Sequence, residues 1–179
     1  EKGKICHLGV TETPPHDPNG EMIQSASSDR IWDVIMLGFH MMHQGARRNA
    51  FPKTQANNIG TVLMFVVRSI FSIPGRLEQT MARLAHDDKV PQWLKRDNPL
   101  SFLIHEEGAS SVIDAAYRYA RHEPGSDIIL FGTGVADHIK SNINSILRPP
   151  LPEKDIKKLE ELFGQLEGVG LDLPESRTR

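Results

Sequence analysis

The residues best suited to chemistry lie in Gly132-Thr-Gly-Val-Ala-Asp-His-Ile-Lys-Ser-Asn142, directly after the apolar run Asp127-Ile-Ile-Leu-Phe131. A strand that enters a Gly-X-Gly turn and then a helix brings backbone N–H groups close to a phosphate, and the helix N-terminus adds a favourable dipole. The same two glycines could also serve the turn alone. His138 and Asn142 stand four residues apart on one helical face, where both can reach one ligand or both can point to solvent. A second polar group, Thr11-Glu-Thr-Pro-Pro-His16, follows the apolar run Ile5-Cys-His-Leu-Gly-Val10 and could hold a ligand or cap a loop. His40 and His43 lack a third partner at a recognised ligand spacing, so they read as loop histidines and no metal is expected. Neither a phosphate-binding Gly-X4-Gly-Lys-Ser/Thr loop nor a Gly-X-Ser-X-Gly elbow occurs, which removes the usual motifs of phosphoryl transfer and serine hydrolysis.

Four apolar runs must position these groups: Ile5–Val10, Asp33–Phe39, Thr61–Val67 and Asp127–Phe131. Their continuity, without clean polar alternation, suits strands covered on both faces, and hence a parallel sheet of an α/β protein. Helical periodicity predicts crossovers over Glu21–Asp29, Ala46–Asn58 (with an irregular first turn at Pro52), Pro74–Ala85 and Ser110–Arg121, the last opened by serines suited to an N-cap. Two further helices are expected over Asp137–Leu147 and Glu153–Leu166, separated by Arg148-Pro-Pro-Leu-Pro152. The excursion from Asp87 to Gly108 reads as a loop or small helix packed over one end of the sheet, with a substrate lid as the alternative. In parallel sheets ligands bind beyond the carboxyl ends of the strands, which is where both polar groups fall.

Length and composition bound the rest. The 179 residues allow one ordinary domain, and 39% hydrophobic with 25% charged residues is globular. A net charge of −2 supplies no field for nucleic acid or an anionic membrane, so neither is an expected partner. The longest apolar run, Val62–Val67, is far below the ~20 residues that span a bilayer. Cys6 is the sole cysteine, excludes an intrachain disulfide, suits a reducing cytoplasm and reads as a small core residue. The opening Glu-Lys-Gly-Lys, with neither Met nor an apolar leader, reads as a cut or processed end.

Taken together, Gly3-Lys-Ile-Cys-His-Leu-Gly-Val-Thr-Glu12, Ile59-Gly-Thr-Val-Leu-Met64 and Arg121-His-Glu-Pro-Gly-Ser-Asp-Ile-Ile-Leu-Phe-Gly-Thr-Gly134, with His138 and Asn142, resemble the aldo/keto reductase family. The resemblance covers nearly the whole chain. It implies strands five to eight of a (β/α)8 TIM barrel: four parallel strands with crossover helices and C-terminal helices over residues 1–163, followed by a flexible tail, 164–179. It also implies a carbonyl reductase using NADP, with NAD as the alternative cofactor. Gly132, Thr133 and Gly134 would line the cofactor phosphate, His138 and Asn142 would face the adenine, and Thr11 and Glu12 would meet the nicotinamide carboxamide. Glu12 stands where the family often has Asn, Met36 where it often has Gln, and Gly134 where many members have Arg. Lys140 could supply that charge, and Arg68 could neutralise pyrophosphate or serve a surface pair.

The family's Asp, Tyr, Lys and His tetrad lies on the first four strands, so the resemblance leaves this chain with no catalytic residue. Tyr117 and Tyr119 fall in a helix expected on the outside of the barrel. The leading expectation is therefore the cofactor-binding portion of a reductase that acts on a small carbonyl compound in its full-length parent. The alternative is a noncatalytic half-barrel that associates with itself, or with an N-terminal half, through open sheet edges. A self-contained flavodoxin-like domain binding another phosphate-bearing ligand is the third reading.

Overall fold

The computed structural model describes residues 3–14 and 16–171. Its sheet contains β1 (Gly9–Thr11), β2 (Val34–Gly38), β3 (Gly60–Met64) and β4 (Ile128–Ile129), in that order and all parallel. The register sets Gly9 opposite Val34, Ile35 opposite Thr61, and Val62 opposite Ile128. Ile35, Leu37, Thr61 and Leu63 form the face buried beneath the helices. Because strand side chains alternate, Val34, Ile128 and Leu130 fall on the opposite face, where they remain exposed. The sheet is not closed, and the architecture is that of a partial (β/α)8 barrel.

Around it lie α1 (Glu21–Ala26), α2 (Ala46–Asn49), α3 (Phe51–Ala56), α4 (Ser69–Ser72), α5 (Arg76–His86), α6 (Val112–Arg121), α7 (Ala136–Leu147) and α8 (Glu153–Phe163). The expected helix over residues 46–58 is two helices broken at Ala50. Pro52 explains the break: it donates no N–H and clashes with a preceding turn, so it is accommodated in the first turn of α3. α6 starts as its serines predict, with the Asp114 amide donating to Ser111 Oγ over 3.0 Å. α4 carries no advance signal, being a single turn.

All four strands are shorter than their apolar runs. Ile5–Leu8 lie outside the sheet, and Cys6 is exposed rather than a core residue. β3 stops at Met64 because Phe65 adopts a positive φ of 66°, a conformation that L-residues rarely adopt. β4 is two residues long, although the Leu130 amide still donates to the Leu63 carbonyl over 2.9 Å. The excursion before α6 contains two 3-10 turns, Gln92–Leu94 and Ser101–Leu103, and buries Leu94, Leu100 and Leu103.

Gly125 leaves no room for a side chain, and Gly38 leaves little. A Cβ on Gly125, whose φ is 94°, would lie 2.8 Å from Phe51 Cβ. One on Gly38 would lie 3.3 Å from Pro14 Cγ and 3.5 Å from a Glu12 oxygen. Beyond α8, Leu166, Val169 and Leu171 are buried, so this part of the expected tail packs on the core. Residues 172–179 of that tail lie outside the described residues. No helix among the described residues is long and apolar enough to cross a membrane.

Candidate functional site

A cleft of about 990 Å³ opens beyond the carboxyl ends of β3 and β4. Its floor is Met64, Phe65 and Leu130–Thr133, its walls are the first turns of α6 and one face of α7, and Arg68 and Arg148 reach its edges. The positive φ that ends β3 turns Phe65 into this space, where the Arg68 guanidinium stacks 4.3 Å from the ring centre. Arg148 donates to Asp114 Oδ2 over 2.6 Å and to Ser110 Oγ over 3.1 Å, so its charge is matched by a buried carboxylate.

The turn into α7 is organised by Thr133. Its hydroxyl accepts from the Val135 amide over 3.1 Å and lies 3.4 Å from His138 Nδ1. No side chain caps α7, and its His138 amide donates to the Val135 carbonyl over 3.1 Å, which leaves the Ala136 and Asp137 N–H groups of this twelve-residue helix for another acceptor. Gly132, Thr133, His138 and Asn142 all line the cleft, whereas Gly134, in the same turn, does not. The donor set of glycine turn, uncapped helix start and neutral polar side chains fits a phosphate-bearing nucleotide, and the volume lies within the range of ordinary ligand pockets.

The β1 residues are placed differently. Thr11 is exposed opposite Met36, which lines the cleft, but Thr11 itself does not. Glu12 points to the other face of the sheet, is 6% exposed, and accepts the Gly38 amide at Oε2 over 2.7 Å. It lines a separate cavity of about 10 Å³ together with His43. The physical reason is the alternation of strand side chains, which sends neighbours to opposite faces. Burial pushes the Glu12 carboxyl up to about 7 against the pull of the Gly38 bond, with the charge of Asp17 adding to the rise.

A raised carboxyl opposes folding once the unfolded chain ionises. The Glu12 contribution is therefore favourable below pH 4.5 and lost as pH rises through about 7. Glu12→Gln is expected to raise folding stability by roughly 2–3 kcal/mol at pH 8 and by almost nothing near pH 4.5. Urea titrations at the two pH values measure this, and a uniform gain or a loss at pH 8 would contradict it.

His40 and His43 are buried with ring centres 5.9 Å apart. His40 Nδ1 accepts the Met42 amide over 3.1 Å. No group of three or more His, Cys, Asp or Glu side chains among the described residues is placed to hold a metal ion. Both tyrosines sit in α6: Tyr119 is buried and stacks on Phe39 at 5.8 Å, while Tyr117 reaches the cleft wall. Burial pushes both hydroxyls above their usual range. Reading the sequence missed Arg148, Ser110 and Phe65 as cleft residues. Only the Arg148-Pro-Pro break, which forces the chain back across α6, hints at the first.

An open parallel sheet flanked by helices, with a polar cleft beyond the carboxyl ends of its strands, defines an α/β protein built as part of a (β/α) barrel. A family model described as the aldo/keto reductase family matches residues 1–163, and the chain belongs to that family. Among solved structures, the holo form of aldo-keto reductase AKR11C1 from Bacillus halodurans is similar with a TM-score of 0.57 at 16% identity, over 97% of this chain and 53% of that one. The apo form of the same enzyme gives 0.50 at 14% identity, over 90% and 51%. The chain thus spans about half the length of these reductases. No curated protein matches it.

Proposed function

We propose that this chain is the dinucleotide-binding, C-terminal half of an aldo/keto reductase-type oxidoreductase, with NADP as its cofactor and NAD as the alternative. The observation that carries the reading is the convergence of Gly132, Thr133, His138 and Asn142 on one cleft at the ends of β3 and β4. A bound nicotinamide dinucleotide would supply the hydride that an aldehyde or ketone carbon accepts. The chain's own residues bind and orient: the N–H groups at the start of α7 face phosphate oxygens, His138 and Asn142 hold the adenosine end, and Arg68 faces the pyrophosphate. Thr11 and Glu12 were expected at the carboxamide. Of the two, only Thr11 is on the open face, and a role there requires a ligand that extends across β2. The proposed setting is the cytoplasm, where a lone exposed thiol stays reduced.

Titrating the chain with NADPH and with NADH, followed by cofactor fluorescence, tests this reading. Binding is expected, and His138→Ala or Asn142→Ala should weaken it about tenfold each, the scale of one lost hydrogen bond. Failure to bind either dinucleotide would remove the cofactor assignment. The same samples should not oxidise NADPH in the presence of a simple aldehyde, because this reading assigns the tetrad to barrel strands other than β1–β4. Turnover at an enzymatic rate would contradict that. The open edges at β1 and β4, flanked by exposed Leu8, Ile128 and Leu130, favour completion by an N-terminal half or by self-association.

A further inference from the structure

A cleft of about 370 Å³ opens between α2, α3, α8 and the end of α6. Ile113 and Asp114, at the start of α6, line the first cleft, whereas Tyr119 and His122, at its end, line this one. Phe51 and Pro52 of α3 and Ile156 of α8 supply apolar walls. Every nitrogen of the Arg47 guanidinium in the lining is already engaged: Nε donates to Glu123 Oε1 over 2.6 Å, Nη2 donates to Glu123 Oε2, and Nη1 donates to Gln44 Oε1 over 3.2 Å and lies 2.9 Å from Glu160 Oε1. Two carboxylates thus face one guanidinium, which leaves one negative charge over. Glu160 Oε2 accepts no hydrogen bond among the described residues, and the hydroxyl of Tyr119, a residue only 3% exposed, has no partner. Such a hydroxyl is uncommon in a folded protein, because burying it dry forfeits its hydration with nothing in return.

We propose that this cleft binds an organic monocation, a primary ammonium carried on an aryl or alkyl body. The ammonium donates to Glu160 Oε2 and to the Tyr119 oxygen, and the body lies on Phe51, Pro52 and Ile156. The volume falls in the range of small-molecule pockets, and covering the apolar walls adds to the driving force. Charge sets the preference. An anion entering the cleft meets a guanidinium whose nitrogens are taken and two carboxylates that repel it, whereas an ammonium matches the charge left over. A neutral alcohol satisfies the Tyr119 hydroxyl but leaves that charge unmatched. Glu123 and Pro124 precede β4, so the site lies at the amino ends of the strands, away from the proposed dinucleotide cleft, and does not rest on it.

The probe is phenethylammonium, compared with phenethyl alcohol and hydrocinnamate, added to the full chain and followed by amide NMR shifts. The expected result is perturbation of the Tyr119, Ile156 and Glu160 amides, with the alcohol at least about fivefold weaker and the carboxylate weaker still. Glu160→Gln should weaken ammonium binding about tenfold and narrow its lead over the alcohol. Tyr119→Phe, which keeps the ring stacked on Phe39, should weaken it about fivefold. Glu161→Gln removes the same charge from α8 outside the lining and should leave the affinity unchanged. The same spectra show whether each variant is folded. Absence of ammonium binding, equal binding of the alcohol, shifts centred on Thr133 and His138, or unchanged affinity in either the Glu160 or the Tyr119 variant would overturn the proposal. So would an equal loss in Glu161→Gln, which would mean attraction to the net charge of the surface.

Discussion

Arg118→Ala is expected to cost about 3–5 kcal/mol of folding stability, the scale of breaking a buried, hydrogen-bonded charge. Arg118 is 2% exposed, and its guanidinium donates to the Gly108, Pro149 and Pro150 carbonyls over 2.8, 2.8 and 2.9 Å. The segment after α7 is proline-rich and contributes few N–H groups, and its Pro149 and Pro150 carbonyls lie outside the strands and helices. An alanine would leave three acceptors without donors inside the protein. It would also remove one of the two guanidiniums beside buried Asp114, the other being Arg148. Urea unfolding measures the loss, and Arg118→Lys should fall between wild type and alanine because an ammonium cannot span all three acceptors. A loss below about 1 kcal/mol would show that water takes over the carbonyls. Because this anchor ties the end of α7 to α6, and α7 carries His138 and Asn142, dinucleotide affinity should fall with it.

Acid is expected to destabilise the chain through His40 and His43. Burial holds His40 down to about 3, with the His43 and Arg68 charges pulling the same way and the Val169 backbone opposing, and burial holds His43 down to about 4. The unfolded chain takes up these protons near pH 6.5, whereas the folded chain does so only near pH 3–4. The neutral pair therefore contributes in full above pH 6.5, and its contribution is lost as pH falls toward 4 and below. At about 1.4 kcal/mol per pH unit and group, the two should remove roughly 5 kcal/mol between pH 8 and 4.5. Glu12 works the other way over the same range, because its penalty disappears on acidification. From these three groups wild type should lose roughly 2 kcal/mol and Glu12→Gln roughly 5 kcal/mol. Unfolding curves of both proteins across that range decide the matter, and parallel pH profiles would mean that Glu12 is not buried in its neutral form.

Much of the scaffold was legible because its signals are local. Helical spacing around Leu77, Met81 and Leu84 located α5, the serines before Val112 located the start of α6, and Arg148-Pro-Pro separated α7 from α8. The strand ends were less legible, since β3 is terminated by a backbone conformation at Phe65 that nothing in Leu-Met-Phe-Val announces. Cys6 was misplaced for a related reason. An apolar run beside a strand looks like more strand, but the ladder pairing starts at Gly9, and only Leu8 before it reaches β2, its carbonyl accepting the Asp33 and Val34 amides.

The order of elements, the parallel α/β character, the glycine turn into a polar helix and the family resemblance were all determined by the sequence itself. They depend on periodicities of two and about 3.6 residues and on short turn chemistry, which neighbours along the chain specify. Which of the expected site residues share a cleft was decided only by the tertiary structure. It joined Thr133 to His138 and Asn142, brought Arg148 to Asp114 and Ser110 across 30 or so residues, and sent Glu12 through the sheet to Gly38. It also set Arg47, Tyr119 and Glu160, from three helices, around the cleft at the end of α6. Burial and long-range approach arise from how elements pack, so a charge's partner, a carboxyl's proton affinity and the walls of a cavity exist only once the chain is folded.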